Sequence, residues 1–290
     1  MNAPFKVPEV DAVIVNGMSV DVEEWFQVGA FERTIDKADW ERLESRVVAN
    51  TGRVIDLFAE TGTRATFFTL GWVAARHPAL IRRVVEAGHE IASHGWDHQR
   101  VFTMDAATFR ADLARARTAL EDAGGVAVTG YRAPSFSIDT RTPWAHRVLA
   151  EAGYDYSSSV APVAHDHYGW RESPRFAWRP LADSHLIELP VSTAALAGRR
   201  LAVGGGFFRL LPAALTGLAV RQANAAGHGG MFYFHPWEID PDQPRVAAAP
   251  IRSKLRHYSR LGAMAGKLRG LVRRHDWGRV DAVAARERRW

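Results

Sequence analysis

Short apolar runs alternate with longer amphipathic segments along most of this chain. A short run rich in β-branched and aromatic residues is typical of a buried strand, whereas apolar residues three and four positions apart are typical of a helix. Gly closes or follows the last three helical segments, as is usual at a helix C-terminus. The pattern predicts strands in residues 12–15 running on to 20, 65–70, 89–93, 128–131, 154–157, 186–189 and 230–234, and helices near 43–60, 78–87, 106–122 and 143–152.

The alternation of strands and helices predicts an α/β fold with mainly parallel strands. Seven strand segments joined by crossover helices favour a barrel over an open sheet. We therefore expect functional residues at the carboxyl ends of the strands, where barrel enzymes build their sites.

Two segments rich in Pro, Gly and polar residues interrupt this pattern, at 160–180 and 236–250. The first is interpreted as a long loop over the site, because loops of that length in compact domains tend to be functional or disordered. The second separates the predicted barrel, residues 1–245, from a C-terminal extension, residues 246–290. Apolar residues on one side of 252–274 predict one amphipathic helix in this extension.

The composition of the chain limits the chemistry that it can carry. With 290 residues, 47% apolar and 24% charged, the chain can bury a sizeable core. It has no Cys, which excludes disulfides, thiolate metal sites and cysteine nucleophiles. Its N-terminus lacks the apolar core of a secretion signal, and no apolar run approaches a membrane span, so a cytoplasmic location is expected.

Positive charge is concentrated in the C-terminal extension. Residues 252–290 contain 12 Lys and Arg against 3 Asp and Glu, in a chain whose net charge is +5. Two interpretations stay open, a structural helix that closes the barrel and a basic surface that contacts an anionic membrane. No nucleic-acid motif accompanies the charge, so no nucleic-acid partner is expected.

Two His four residues apart follow the third predicted strand, in the stretch His94-Gly-Trp-Asp-His98. On one turn of helix this spacing would put both imidazoles on the same face, within reach of one divalent ion. An acidic cluster, Asp21-Val-Glu23-Glu24, stands where the first predicted strand ends. Imidazoles and carboxylates delivered from the ends of different strands are typical of a metal hydrolase built on a barrel.

Four motifs, in order, resemble those of the NodB-like polysaccharide deacetylases over about residues 12–240. The resemblance implies a distorted, incomplete (β/α) barrel of about seven parallel strands, followed here by the C-terminal helical extension. It also implies hydrolysis of N-acetyl groups, or related amides, with one divalent metal. Residues 204–212 and 235–240, with the basic helix, resemble the subfamily found with bacterial exopolysaccharide and holdfast assembly. The motifs are Ser19-Val-Asp-Val-Glu23, Ser93-His-Gly-Trp-Asp-His98, Tyr131-Arg-Ala-Pro-Ser-Phe136 and Phe232-Tyr-Phe-His-Pro236.

The resemblance implies that His94, His98 and one carboxylate of the acidic cluster hold the metal, with Asp21 as the general base. Zinc is favoured, with cobalt, nickel or manganese as alternatives, because such a ligand set accepts all of them. Base and ligand are adjacent Asp residues in the commonest family pattern, whereas a Val separates the acids here. Residues two apart share a strand face, which favours Glu23 as ligand, with Glu24 as the alternative if a bulge shifts the register.

Later motifs imply roles around the base. Arg132 would pair with the base carboxylate and orient it. The N–H of Ser135, after Pro134, would donate to the oxyanion. His235 would be the general acid that protonates the departing amine.

Other residues are candidates for substrate contact or for tuning the acid. Trp96 and Trp237 lie within or beside the motifs, and aromatic faces suit the apolar faces of sugar rings. Asp166, in the predicted loop over the site, is a candidate for lining the substrate groove. Asp155 and Asp166 are both candidates for the carboxylate that steadies His235.

The leading hypothesis is a metal-dependent deacetylase that removes acetyl from N-acetylhexosamine units of a bacterial exopolysaccharide or its lipid-linked precursor. The alternatives are a hydrolase of a small cyclic amide or ureide and a sugar-binding relative that has lost catalysis. Retention of Asp21, His94, His98, Arg132 and His235 argues against the last alternative. A monomer and a dimer both stay open, as does peripheral contact with the inner membrane.

Overall fold

A sheet of parallel strands forms the centre of the computed structural model, which describes residues 13–165 and 168–289. All seven predicted strands are present, and three further short strands lie in the second half of the chain. In chain order the strands are β1 (Asn16–Val22), β2 (Thr66–Thr69), β3 (Glu90–Ser93), β4 (Gly130–Tyr131), β5 (Tyr156–Ser157), β6 (Ile187–Glu188), β7 (Thr193–Leu196), β8 (Arg199–Ala202), β9 (Met231–Phe234) and β10 (Trp277–Gly278).

The main sheet is ordered β10-β1-β2-β3-β4-β5-β6, and β9 also pairs with β1. Every pairing in it is parallel. Since β6 and β9 do not pair, the sheet curls into an incomplete barrel with helices outside it, which confirms the predicted fold class. The strands β7 and β8 form a separate antiparallel hairpin that the apolar pattern did not predict.

Ten helices lie in the part of the chain that the structure describes. The four predicted between the strands are present, with ends within a few residues of the expected ones. Apolar side chains on their inner faces, such as Phe58, Leu113 and Leu149, join the strands in the main core. In chain order the helices are α1 (Val47–Thr61), α2 (Gly71–Arg76), α3 (Pro78–Glu86), α4 (Ala106–Gly124), α5 (Ala145–Glu151), α6 (Gly205–Leu210), α7 (Ala213–Ala225), α8 (Ile251–Tyr258), α9 (Leu261–Val272) and α10 (Val280–Glu287).

The single helix predicted over 252–274 is wrong in one respect, because the chain forms two helices there, α8 and α9. Ser259 is extended, and Arg260 adopts a left-handed conformation with φ of 56°, which ends one helix and starts the next. Helix α9 buries Leu261, Met264 and Leu268, whereas the buried residue of α8 is His257. The two halves therefore have different environments.

Strand β10 and helix α10 complete the amino-terminal end of the barrel. Strand β10 pairs with the first residues of β1, and α10 follows it at once. The N–H of Val280 donates to Thr66 Oγ1 at 2.7 Å, and that of Asp281 donates to Glu90 Oε2 at 3.1 Å. Val283 and Ala284 pack beneath the sheet with Phe68 and other inward-facing residues. No helix in the described part of the chain is long and apolar enough to span a membrane.

Candidate active site

The motif residues meet at the carboxyl ends of four strands. Asp21 lies near the end of β1, and Glu23 directly follows that strand. His94, Arg132 and His235 directly follow β3, β4 and β9. Parallel strands bring their carboxyl ends to the same rim of a barrel, so positions more than two hundred residues apart become neighbours.

Glu23, His94 and His98 could hold a metal ion. One ligand atom from each lies within 4.8 Å of the other two. Nδ1 of His94 lies 2.9 Å from the carbonyl oxygen of Arg132, so its N–H donates there and leaves Nε2 as the ligand atom. A hydrogen bond of this kind fixes both the tautomer and the ring orientation of a metal-binding His.

A loop, not a helical turn, brings the two imidazoles together. Residues 94–100 contain no helix, which corrects the expectation from the four-residue spacing. Gly95 has φ of 77° and His98 has φ of 62°, so the backbone turns twice through left-handed conformations. The N–H groups of Gly71 and Trp72, at the start of α2, donate to the carbonyl oxygens of residues 95 and 96 at 2.9 Å each. These bonds hold the loop in place.

The carboxylate of Glu23 is buried and only partly hydrogen-bonded. Trp237 Nε1 donates to its Oε1 at 3.1 Å. Its Oε2 is buried without a hydrogen bond and lies 2.8 Å from His98 Nε2. These two atoms, the carboxylate oxygen and the imidazole nitrogen, are close enough to bind the same cation.

The electrostatics keep the ligand groups in metal-binding protonation states. Burial would raise the pKa of Glu23, but His98, His235 and His94 lower it to about 2. Burial lowers the pKa of His94 to about 4, against the opposing influence of nearby carboxylates. At neutral pH the site therefore offers an ionised carboxylate and a neutral imidazole, as metal ligation requires.

Glu24 points away from this site. Its carboxylate accepts hydrogen bonds from the Ser45 hydroxyl and, at 3.0 Å, from the Arg46 N–H, just before α1. Burial raises the pKa of Glu24 despite these bonds. The two neighbouring acids thus point in different directions just after β1, with Glu23 towards the imidazoles and Glu24 towards α1.

Asp21 and Arg132 form a buried ion pair at the carboxyl end of β1. Arg132 Nη1 donates to Asp21 Oδ1 at 2.6 Å and to Ser19 Oγ at 2.8 Å. Its Nε and Nη2 donate to the carbonyl and hydroxyl oxygens of Ser158 at 3.0 and 2.9 Å. The guanidinium also lies 4.1 Å from the Phe68 ring centre. Because every nitrogen of the planar Arg132 guanidinium is hydrogen-bonded, the group has a fixed orientation and so orients the Asp21 carboxylate.

The loop after β4 has an uncommon backbone. Ser135 and Phe136 have φ of 54° and 49°, two successive left-handed residues that are not Gly. Pro134 is buried before them, at the start of a short 3-10 turn. Left-handed residues other than Gly often cluster at functional sites, where surrounding structure maintains them.

His235 faces two carboxylates. Its Nε2 lies 3.7 Å from Glu23 Oε1, and its Nδ1 lies 3.4 Å from Glu238 Oε1. Burial alone would lower the pKa of His235, but Glu23 and Glu238 raise it to about 9. The ring is therefore protonated at neutral pH in the absence of a bound cation.

Glu238 is a carboxylate next to His235 that the sequence did not predict. It is completely buried, three residues after His235, in the 3-10 turn Pro236–Ile239. Arg209, in α6, donates from its Nε to Glu238 Oε1 at 3.3 Å. The spacing His-x-x-Glu, which puts both residues on one side of a single turn, is the signal that could have revealed it.

Asp155 lies elsewhere, which corrects its assignment as a partner of His235. It precedes β5, and so lies at the amino-terminal end of the barrel. Its Oδ1 is 3.2 Å from His185 Nε2 and 3.4 Å from Arg288 Nη1. Asp166, the other candidate, lies outside the described residues.

The two candidate sugar-stacking Trp residues serve other contacts. The Trp237 ring stacks between those of His235 and His257, with ring centres 5.1 and 4.2 Å away. Its buried N–H orients Glu23 instead of presenting a face to a sugar. The Trp96 ring lies under the Arg115 guanidinium, 3.5 Å from the ring centre, and packs the ligand loop against α4. Trp96 is only half-buried, so substrate contact by its exposed part stays a prediction.

Two family models match this chain, one after the other. Residues 34–157 match the polysaccharide deacetylase family, and residues 158–285 match a domain of unknown function, DUF3473. The boundary between them falls at β5. The first model thus includes His94, His98 and Arg132, and the second includes Arg209, His235 and Glu238.

Individual relatives agree with the first model. A chitin deacetylase from Pestalotiopsis is 35% identical over 94 residues, which are 31% of this chain and 32% of that protein. A chitooligosaccharide deacetylase from Bradyrhizobium is 31% identical over 133 residues, 46% of this chain and 55% of the relative. The matched segments thus span between a third and just over half of these relatives.

A solved structure resembles nearly the whole chain. It is that of a Mycobacterium smegmatis protein assigned to the polysaccharide deacetylases, with 25% identity and a TM-score of 0.63. The superposition covers 99% of this chain and 94% of the other. The likeness therefore includes the C-terminal helices as well as the barrel.

Proposed function

We propose that this chain, which belongs to the polysaccharide deacetylase family and continues into a DUF3473 domain, is a metal-dependent hydrolase that removes N-acetyl groups from N-acetylhexosamine units. The substrate in this proposal is a bacterial exopolysaccharide or its lipid-linked precursor, handled in the cytoplasm or at the inner membrane. The relatives named for chitin and chitooligosaccharides support the class of bond, an acetamide on an amino sugar.

One observation carries the proposal. Three side chains that could bind a metal converge within 4.8 Å, near the ion-paired carboxylate of Asp21 and the half-buried His235. A water needs a base, and a departing amine needs an acid, so amide hydrolysis uses all of these groups together. A purely structural ion-pair cluster would leave the ligand-like arrangement unexplained.

The donor atoms fit a divalent metal. Glu23 Oε2 is buried without a hydrogen bond, and His94 keeps Nε2 available because its Nδ1–H is already used. Imidazole and carboxylate ligands suit zinc, which we propose as the ion. When bound there, the ion supplies a Lewis acid that polarises the acetyl carbonyl and makes water acidic enough to deprotonate.

The residues around the ligands then have complementary tasks. Asp21, held by Arg132, takes a proton from the attacking water as the new carbon–oxygen bond forms. The backbone near Ser135 donates to the oxygen that gains negative charge. His235 supplies a proton to the nitrogen as the carbon–nitrogen bond breaks, and the products are acetate and a free amine on the sugar.

The direct test is acetate release from N-acetylglucosamine oligomers of defined length. We expect zinc-loaded protein to remove acetyl groups, detected as mass loss, and chelator-treated protein to regain activity when zinc is returned. Asp21→Asn should keep the metal but lose at least about a hundredfold in turnover, the usual size of a general-base contribution. Folded, zinc-loaded protein that releases no acetate from any N-acetylated oligomer would contradict the proposal.

A further inference from the structure

Helix α8 presents an apolar face to solvent. Ile251 and Leu255 are 75% and 63% exposed, and they lie one helical turn apart on the same side. Among the large apolar side chains that the structure describes, Val13 alone is similarly exposed, at 69%, next to the undescribed N-terminus. Two adjacent and nearly bare aliphatic side chains are uncommon on a surface without a partner.

The surroundings of this face are strongly basic. Residues 243–275 contain nine Lys and Arg and no Asp or Glu. Within the described residues, Arg252, Arg256 and Arg260 have no carboxylate within ion-pair distance. Their charges are therefore available to an external anion, unlike the paired Arg269 of α9.

The helix is firmly attached beside the active site. Arg209, itself buried, donates to the carbonyl oxygens of Arg256, His257 and Ser259 at 3.0, 2.9 and 2.7 Å. The Trp237 ring stacks with the rings of both His257 and His235. Through these contacts α8 has a fixed position relative to the reacting groups.

We propose that α8 docks this protein on an anionic lipid surface, with Ile251 and Leu255 inserted and the basic side chains against lipid headgroups. Cations that surround a small apolar ridge are typical of helices lying at a membrane interface. A stable protein interface instead needs a larger apolar area than two side chains supply. The docked enzyme would hold its active-site rim close to the bilayer, where a lipid-linked glycan is presented.

Vesicle co-sedimentation of the full chain tests this proposal. We expect binding to vesicles that mix phosphatidylglycerol with phosphatidylcholine, and little binding to phosphatidylcholine alone. Raising the salt concentration should weaken the binding, because it screens surface charge. Arg252→Gln/Arg256→Gln should lower the partition coefficient about thirtyfold, since each basic residue near an anionic surface contributes about a factor of five.

A second variant separates insertion from charge attraction. Ile251→Ser/Leu255→Ser should lose at least about tenfold in partitioning at unchanged net charge, because two inserted aliphatic side chains are removed. The matched controls are Leu196→Ser, on the exposed turn of the hairpin, and Arg82→Gln/Arg199→Gln, on exposed positions elsewhere. These controls should bind like the parent protein.

Two results would overturn the proposal. One is equal partitioning of the parent onto anionic and neutral vesicles at low salt. The other is a parent that sediments as a dimer while Ile251→Ser/Leu255→Ser sediments as a monomer with vesicle binding intact, since the face would then serve self-association. Acetate release from a soluble oligomer should be the same in all these variants, which keeps this test independent of the proposed activity.

Discussion

At the scale of single residues, Glu23 and Glu24 are neighbours with opposite environments. Glu23 lies among imidazoles, whereas Glu24 accepts hydrogen bonds from Ser45 and Arg46 before α1. We expect Glu23→Ala to lose most of its bound metal and to melt like the metal-free parent protein. Glu24→Ala should keep the metal but unfold at a lower temperature, because it loses buried hydrogen bonds to a charged acceptor.

Metal content by mass spectrometry and thermal unfolding distinguish these variants. His94→Ala/His98→Ala provides the reference for a protein without two ligands. Full metal content in that double variant would contradict the assignment. A greater metal loss in Glu24→Ala than in Glu23→Ala would show that the strand end has another register in solution.

Glu238 is expected to orient His235 instead of contacting the substrate. The substitution Glu238→Gln keeps the shape of the side chain but removes the negative charge that lies 3.4 Å from His235 Nδ1. We predict that kcat falls about tenfold to a hundredfold, as for other partners of site residues, while KM and metal content stay near the parent values. Steady-state kinetics on an N-acetylated oligomer measures this.

Asp155→Asn is the matched control for that prediction. Asp155 contacts His185 and Arg288 at the opposite end of the barrel, so its turnover should be near normal. A large loss of kcat in Asp155→Asn, with little in Glu238→Gln, would return the role to Asp155, one of the two carboxylates that the sequence suggested.

At the scale of elements, His89 makes the stability of the contact between the starts of β2 and β3 depend on pH. Its ring precedes β3, and Nδ1 accepts the Ala65 N–H at 3.2 Å before β2. Burial, with the nearby Arg64 and Arg279, lowers the pKa of His89 to about 4. Between that value and the ordinary one near 6.5, the unfolded chain binds a proton that the folded chain does not.

The neutral His89 therefore contributes stability above about pH 6.5 that is lost as the pH falls. Between pH 7.5 and pH 5 the loss is about 2 kcal/mol for a shift of this size. His89→Asn keeps an acceptor for the Ala65 N–H without the titration, so its free energy of unfolding should fall less over this range. Urea unfolding at the two pH values measures this. An equal loss of unfolding free energy in parent and variant would contradict the prediction.

The C-terminal helices show how one amphipathic pattern can serve two elements. The left-handed Arg260 divides it, so that α9 packs on the core and α8 stays at the surface. The two interpretations of the basic segment thus apply to different halves. Closing the barrel fits α9, and the proposed lipid contact belongs to α8.

At the scale of the whole molecule, truncation after Pro250 is expected to destabilise the barrel itself. It removes β10 from the sheet and uncovers the core at both α9 and α10. Loss of so many buried side chains exceeds the few kcal/mol by which typical domains are stable. The buried side chains removed are Leu261, Met264, Leu268, Leu271, Val272, Val280, Val283 and Ala284.

Solubility and thermal unfolding of the truncated chain measure this effect. We expect an insoluble protein, or one without a cooperative unfolding transition. Ile251→Ser/Leu255→Ser is the control, because it changes the same segment only at exposed positions and should melt like the parent. A truncated chain that is soluble, cooperative and active would show that the extension only trails the barrel.

The sequence by itself determined the class of fold and most of the groups at the site. Burial on both faces makes parallel strands nearly continuous apolar runs, so β1 to β6 and β9 were readable from local composition. Polar residues directly after such runs had to lie on one rim, which predicted the meeting of Asp21, His94, Arg132 and His235. The alternation of side chains along a strand was enough to separate Glu23 from Glu24.

Only the tertiary structure decided how these groups are supported. The two-residue β10 has too few residues for a periodic signal, and the hairpin β7–β8 is only partly buried. The partner of His235 depended on Arg209, since a buried carboxylate needs a compensating charge that the chain supplies from another element. The contacts of Trp96 and Trp237 were likewise not predictable. An aromatic side chain packs wherever the fold leaves apolar space, and the sequence does not say which face of the ring stays exposed.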